Sequence, residues 1–190
     1  MRVPSPTAQR TAELTRLKPV WNDMSISLIS KIRFMLSLAT PISLYACESW
    51  TLTTELQRRI QVMEMRCYRI LRISYKDHVT NEEVRAKIQQ AIGPHEDHLT
   101  IVKRRELKWY GHFSRSPGRA KTILQGTVKG GRRQGRQKKR WEDNIMEWTG
   151  LEFAKSRRAA ENREKGRKLV VKSPMVLQRS SWLRDKWRWR

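Results

Sequence analysis

Acidic residues and cysteines are scarce in this sequence, and each shortage excludes a class of protein. Two cysteines in 190 residues cannot build the disulfide framework that holds small secreted domains together. Cys47 and Cys67 stand alone in apolar patterns, so we expect both to be small buried side chains in a reducing compartment. The 18 acidic residues face 41 lysines and arginines, which leaves a formal net charge of +23. This charge predicts a polyanionic partner, nucleic acid before an anionic membrane.

Long uninterrupted apolar runs are also absent. The most apolar segment, residues 26–46, is broken by Lys31, Arg33 and Pro41, and is too interrupted to span a bilayer. The first twenty residues contain no apolar stretch of the kind that forms the centre of a secretory signal. We therefore expect no membrane insertion.

The residue groups that usually mark catalysis are missing as well. The five aspartates are isolated along the chain, so no neighbouring pair can hold the two magnesium ions of a polymerase or nuclease. No glycine-rich phosphate loop of either familiar spacing is present. The four histidines do not combine with the cysteines at the spacing of a structural zinc site. We expect no catalytic residue, no metal, no cofactor and no small-molecule substrate.

The positive charge is concentrated in the second half of the chain. Residues 101–140 contain 14 basic residues and one acidic residue, a balance of +13, whereas residues 1–100 contain 14 basic and 10 acidic residues. Seven of the twelve residues from Lys129 to Arg140 are lysine or arginine, and three are glycine. We call these twelve residues the basic arm. Glycine lets a backbone follow an irregular anionic surface, and arginine offers phosphate a forked pair of donors.

The predicted nucleic-acid contacts are cationic side chains from a helix near residues 97–111 and from the basic arm. They are Lys103, Arg104, Arg105 and Lys108 in the helix, and Lys129, Arg132, Arg133, Arg136, Lys138, Lys139 and Arg140 in the arm. RNA or DNA would be held through its phosphates. The alternative is a helical interaction protein whose basic arm is a solvated loop or a nuclear-import signal. We expect the protein in the nucleus or in a cytoplasmic ribonucleoprotein.

Apolar periodicity and capping signals predict an all-α fold. Thr54 with Gln57 and Thr80 with Glu83 are capping-box pairs that mark helix starts. Pro41 is expected to end or kink an earlier helix, and Gly93 to stop a later one. Apolar residues recur at spacings of three and four in two of these helices. They are Leu28, Ile32, Met35 and Ala39 in the earlier helix, and Leu56, Ile60, Met63, Cys67 and Ile70 in the helix after Thr54.

A further helical face follows the basic arm and contains Trp141, Ile145 and Trp148. Trp141 could stack on a base, but its place in this stripe favours packing that fixes the arm to the helical body. Residues 42–50 fit either a short helix or a buried extended segment. Residues 151–169 have helical propensity but few apolar side chains, so we expect a solvated, marginal helix.

These patterns predict four regions: a loose segment over 1–24, a helical domain over 25–115, the basic arm with its aromatic helix over 116–150, and a marginal helix with a weakly ordered tail over 151–190. The three tryptophans of the tail could stack on bases or lie on a membrane, or have no selected role.

Five blocks of the sequence resemble the end of the reverse transcriptase of LINE-type (non-LTR) retrotransposons, transposable elements that encode an RNA-directed DNA polymerase. The blocks are LYACESW (44–50), RRIQVMEMRCYRIL (58–71), YKDHVTNEEV (75–84), LKWYGH (107–112) and GRRQGRQKKRW (131–141). The resemblance covers roughly residues 14–172 and implies a helical, thumb-like region followed by a basic region. It also implies that the catalytic palm and the endonuclease are missing from this fragment. Gly166 departs from the pattern, since an aromatic residue is expected there, and the departure would weaken the last helix.

Overall fold

The computed structural model describes residues 16–71, 79–116 and 139–171, and all regular structure in these ranges is helical. The predicted all-α fold is confirmed for this part of the chain. The helices are α1 (Lys18–Asn22), α2 (Leu28–Ser43), α3 (Thr54–Ile70), α4 (Asn81–Ile92), α5 (His98–Arg115), α6 (Trp141–Thr149) and α7 (Phe153–Glu161), followed by helical residues 163–171. A 3-10 turn lies at Cys47–Ser49.

The chain forms two compact units. The first contains residues up to 46 together with 54–99, and the second contains 47–53 together with residues from 100 onward. The division thus falls in the first turn of α5, whereas the sequence patterns placed a boundary after residue 115. Most of α5 belongs to the same unit as the described residues that follow it.

In the first unit, α2 and α3 both pack on α4. The core includes Ile32 of α2, Tyr68 of α3 and Ile88 of α4, each at most 1% exposed. The buried stripe of α3 follows the predicted spacing at first and then shifts, so that Ile70 is 38% exposed while Leu71 is buried. An α-helix has 3.6 residues per turn. A row of apolar residues with an average spacing of 3.5 residues therefore drifts around the helix surface.

The segment predicted to be loose contains a core residue. Trp21 lies in α1 and is 1% exposed, so the prediction for 1–24 is wrong over Lys18–Asn22. The buried Lys31 of α2 donates from Nζ to the carbonyls of Trp21, at 3.0 Å, and Asp23, at 2.5 Å. Lys31 interrupts the apolar run in the sequence, yet its stem packs inside and its ammonium group satisfies the end of α1.

Helix boundaries agree with the sequence signals at α4 and depart from them at α2. The capping box of α4 is confirmed, because the Thr80 N–H donates to the Glu83 carboxylate at 2.8 Å and the Glu83 N–H donates to the Thr80 hydroxyl at 3.3 Å. Gly93 ends this helix with a φ of 84°, a value that favours glycine. Pro41 lies inside α2, which continues to Ser43, so of the two expected effects, an end or a kink, Pro41 does not end the helix.

In the second unit, α6 packs on α7. Helix α5 runs past Gly111 to Arg115, four residues beyond the predicted end. Ile145 and Trp148 of α6 are buried, as the stripe over 141–148 predicts, and Leu107 of α5 is also buried.

Most of residues 153–171 are exposed, in line with the predicted solvated helix, but one side of this stretch packs within the second unit. Ser156 and Ala160 are buried, and the Ser156 hydroxyl lies 3.0 Å from the Tyr110 hydroxyl. Arg115 donates from Nη1 to the Ala160 carbonyl at 2.8 Å. A Cβ at Gly166 would lie 3.4 Å from that carbonyl and 3.5 Å from Arg115 Nη1. These are ordinary van der Waals distances, so a Cβ at 166 would fit against both groups.

Both cysteines are free and buried, as predicted: Cys67 in α3 of the first unit, and Cys47 in the second unit. Burial raises the pKa of the Cys47 thiol to about 11, although a hydrogen bond from Arg105 opposes the shift. The Cys47 side chain is therefore not an activated thiolate in its folded environment. The surroundings of both cysteines are those of small core residues.

Candidate nucleic-acid interface

Helix α5 presents a cationic face made of Arg104, Arg105 and Lys108. At 3.6 residues per turn these three positions span about 100° of the helix circumference. Lys108 is exposed, and the two arginines are half-buried. Arg105 also donates a hydrogen bond to the thiol of the buried Cys47. The face therefore combines a solvated ammonium with two guanidinium groups whose positions are restricted by packing.

Lys103 does not belong to this face, although the charge pattern of the sequence predicts it there. Its Nζ lies 5.8 Å from the centroid of the Trp148 ring, a cation–π distance. Its charge also acts on the buried carboxyl of Glu106. These neighbours lie on the buried side of α5, so the half-buried Lys103 contacts α6 there.

The described end of the basic arm consists of Lys139 and Arg140. Lys139 is half-buried and forms an ion pair with Glu147, with Nζ and Oε2 2.5 Å apart. Arg140 is exposed, and its backbone N–H donates to the Asp143 carboxylate at 2.6 Å at the start of α6. Of the other predicted contacts, Lys129, Arg132, Arg133, Arg136 and Lys138 lie outside the described residues.

Trp141 fixes this end of the arm to the second unit. Its indole N–H donates to the Glu48 carbonyl at 3.1 Å. Its ring lies 5.3 Å from the Trp109 ring in an edge-to-face arrangement and 5.9 Å from the Tyr110 ring. The prediction that Trp141 packs on the helical body is confirmed by these contacts. Trp141 remains half-buried.

The contacts of Trp141 place the described end of the basic arm beside the C-terminal half of α5. Trp109 lies six residues before the end of α5 at Arg115, which is about 9 Å along the helix axis. Lys139 and Arg140 therefore enter α6 in the same unit as the cationic face of α5.

Glu106 is a buried acid near Lys103, Lys139 and Trp141. It is not among the predicted site residues. It is 0% exposed, and within the described part of the chain neither carboxylate oxygen has a hydrogen-bond partner. Burial, and then the charge of Glu48, raises the pKa of Glu106 to about 9, while Lys103 and Lys139 oppose the shift. Trp141 also opposes the shift in the pKa of Glu106, while its indole N–H donates to the Glu48 carbonyl. At neutral pH this carboxyl is protonated and adds no negative charge to the interface.

The position of Glu106 could have indicated its burial, because it lies four residues from Val102 and four from Tyr110 on the apolar side of α5. Asn144 is similar, since it lies between Trp141 and Trp148 on the buried face of α6. It is 0% exposed, and neither polar atom of its amide has a partner among the described residues.

A second polar cluster lies in the first unit around the buried Glu64 of α3. One carboxylate oxygen accepts from the His98 N–H at 3.1 Å and from the Tyr68 hydroxyl at 3.4 Å. The other oxygen lies 3.6 Å from Arg85 Nη2. The Tyr68 hydroxyl in turn lies 2.9 Å from Nε2 of His95. The cluster connects α3 with α4 and with the chain that leads into α5.

The electrostatics of this cluster are dominated by burial. Burial, and then the charge of Asp97, raises the pKa of Glu64 to about 7, although the His98 N–H and Arg85 oppose the shift. Burial also lowers the pKa of His95. Glu64 could have been noticed in the sequence, because it is an acid placed four residues after Ile60 within an apolar stripe. The arrangement can hold a proton near neutral pH, and its contacts join three segments of the unit.

Within 16–71, 79–116 and 139–171, no group of three or more His, Cys, Asp or Glu side chains is placed to hold a metal ion. The same ranges contain no helix that is long and apolar enough to cross a membrane. No protein-family model matches the chain, and no curated protein or solved structure matches it either.

Proposed function

We propose that this chain is a nucleic-acid-binding remnant of a LINE-type reverse transcriptase, equivalent to the thumb and the following basic region. The observation that carries the proposal is the cationic face of α5, formed by Arg104, Arg105 and Lys108, in the same unit as the described end of the basic arm, which Trp141 anchors. The link to the family comes from the five sequence blocks that resemble it, among them LKWYGH in α5. In this proposal the chain has no catalytic site and contacts RNA or DNA through phosphates.

The chemistry of the cationic face supports phosphate binding. Arg104 and Arg105 offer planar forks of donors that match two phosphate oxygens, and the exposed Lys108 adds a mobile charge. Because Glu106 is neutral, this buried carboxyl does not lower the positive potential of the region. Arg140 extends the charge to the start of α6.

The proposal predicts a strong salt dependence of RNA binding that originates in the basic arm and the cationic face. Each phosphate contact that is lost should reduce the slope of log affinity against log salt by about 0.7–0.9. The arm variant changes six residues to Gln, namely Arg132, Arg133, Arg136, Lys138, Lys139 and Arg140. A second variant combines Arg104→Gln with Lys108→Gln. Fluorescence anisotropy with a labelled RNA at several salt concentrations measures both slopes.

A matched control for the face variant removes two positive charges elsewhere. Arg58 and Arg59 are exposed, belong to the first unit and pair with Glu55, so Arg58→Gln with Arg59→Gln should leave the slope unchanged. If the arm and face variants bind RNA with the wild-type slope, the interface is elsewhere. If the wild-type protein has no affinity for RNA while the arm variant fails to enter the nucleus, the competing interpretation, an interaction protein with an import signal, is correct.

A further inference from the structure

We propose that Trp109 and Phe113 of α5 form a stacking platform for unpaired bases, so that the interface selects single-stranded nucleic acid. This inference rests on the proposed function, because it names the form of nucleic acid that the same interface holds. It begins from two aromatic side chains that the core does not enclose. Both are half-buried, whereas Tyr110 between them and Trp148 of α6 are buried.

The geometry of the pair suits stacking. Trp109 and Phe113 are four residues apart, so they lie on the same side of α5. Their ring centroids are 5.2 Å apart and their planes are inclined by 30°. The edge-to-face contact with Trp141 restrains Trp109, and Trp141 is itself held by its hydrogen bond to Glu48. A restrained aromatic side chain loses little conformational entropy when a ligand stacks on it.

The pair borders the cationic face. Arg105 lies one turn before Trp109, and the two positions differ by about 40° around the helix. Lys108 precedes Trp109 directly, and the exposed His112 lies one turn after Lys108. An aromatic pair beside a row of cations is the combination that single-strand binding proteins use, in which bases stack while phosphates follow the positive groove.

This arrangement discriminates between forms of nucleic acid. In a duplex the bases are paired and stacked on one another, so only the phosphates and groove edges are available to a convex helix face. In a single strand the base faces are free, and each base stacked on an aromatic side chain contributes about 1–3 kcal/mol. The cationic face alone would bind both forms, whereas the aromatic pair adds affinity only for the single strand.

The test compares three ligands with equal numbers of phosphates on the bound strand: a single-stranded RNA of about 12 nucleotides, an abasic strand of the same length, and the duplex of that RNA. The wild-type protein should bind the single strand about tenfold more tightly than the abasic strand. Trp109→Leu keeps apolar bulk but removes the stacking surface, so it should lose that tenfold advantage and retain wild-type affinity for the abasic strand and the duplex. Trp109→Phe should retain most of the advantage.

The outcomes separate the two proposals. If the wild-type protein binds the single strand and the abasic strand equally, the stacking platform is wrong while phosphate binding stands. If Trp109→Leu weakens all three ligands equally although its melting curve is that of the wild type, Trp109 is a packing residue only. If the wild-type protein binds none of the ligands in a salt-dependent manner, both proposals are wrong. The abasic comparison on the wild type does not depend on whether any variant folds.

Discussion

Glu64 shows how one buried side chain can make the stability of a helical unit depend on pH. The carboxyl is 1% exposed and contacts the Tyr68 hydroxyl, the His98 N–H and Arg85, with Asp97 and His95 nearby. Its pKa rises from 4.5 to about 7, so the folded state favours the protonated form. The stabilisation from this group is complete below the pKa of the unfolded chain and is lost as the pH rises through about 7.

We therefore expect the free energy of unfolding to fall between about pH 4.5 and pH 7 by up to about 3 kcal/mol because of Glu64. Glu64→Gln keeps the shape but cannot ionise, so its stability should vary less over the same range. Urea denaturation of both proteins at several pH values measures the difference. The pKa of Glu106 is raised in both proteins, so its contribution to the pH dependence of stability cancels when the two are compared. Parallel pH profiles for the two proteins would contradict the prediction.

At the scale of the helix, α6 is fixed to its unit by Trp141 as well as by its own buried face. The indole combines a hydrogen bond to the Glu48 carbonyl with ring contacts to Trp109 and Tyr110. The apolar spacing of Trp141, Ile145 and Trp148 could not predict this hydrogen bond. Phenylalanine has no donor, so Trp141→Phe is expected to lower the stability as well.

Trp141→Ala should destabilise the protein by about 3 kcal/mol, since it removes a large, partly buried aromatic side chain. Trp141→Phe should retain most ring contacts but lose about 1 kcal/mol with the missing hydrogen bond. Thermal melts followed by circular dichroism give both values, and RNA affinity is measured on the folded variants. If Trp141→Ala melts like the wild type but binds RNA tenfold more weakly, Trp141 is a stacking residue and not an anchor.

The elements differ in how far their sequences predict them. The capping box at Thr80 and Glu83 and the stripe of Ile145 and Trp148 depend on near neighbours, so local patterns identify them correctly. The packing of residues 153–171 depends on Ser156, Ala160 and Gly166. Such small residues bring helices together without a hydrophobic stripe, so hydropathy cannot reveal them.

The candidate site was predictable to a similar extent. The charge pattern identifies Arg104, Arg105 and Lys108, but it groups Lys103 with them. The side-chain orientation of a lysine at the edge of a helix face depends on its tertiary contacts. For Lys103 these contacts are Trp148 and Glu106. Composition cannot supply those partners, because Trp148 lies 45 residues away along the chain.

For the whole molecule, the formal net charge of +23 is the dominant electrostatic property. Repulsion between like charges opposes the compact state and is screened by salt. Raising the salt concentration from about 0.01 M to about 0.15 M shortens the Debye length from about 30 Å to about 8 Å. The protein should therefore become more stable as salt is added, although exposed ion pairs such as Arg58 with Glu55 weaken.

We expect the melting temperature to rise by about 2–4 °C over this range, which corresponds to about 1 kcal/mol for a chain of this size. Differential scanning calorimetry in sodium chloride measures the change. Repeating the scans with sodium sulfate at equal ionic strength separates screening from the additional stabilisation that excluded salts provide. A melting temperature that falls with sodium chloride would show that attractive ion pairs outweigh the net repulsion.

The two buried cysteines can be used to measure local opening of the structure by thiol labelling. Cys67 belongs to the first unit and Cys47 to the second, and each is at most 1% exposed. A thiol reagent can reach either sulfur only when the surrounding structure opens, so the labelling rate of each cysteine measures the opening equilibrium of its own unit. Peptide mapping after partial labelling would distinguish the two rates. It would show, without any substitution, whether the two units open together or separately.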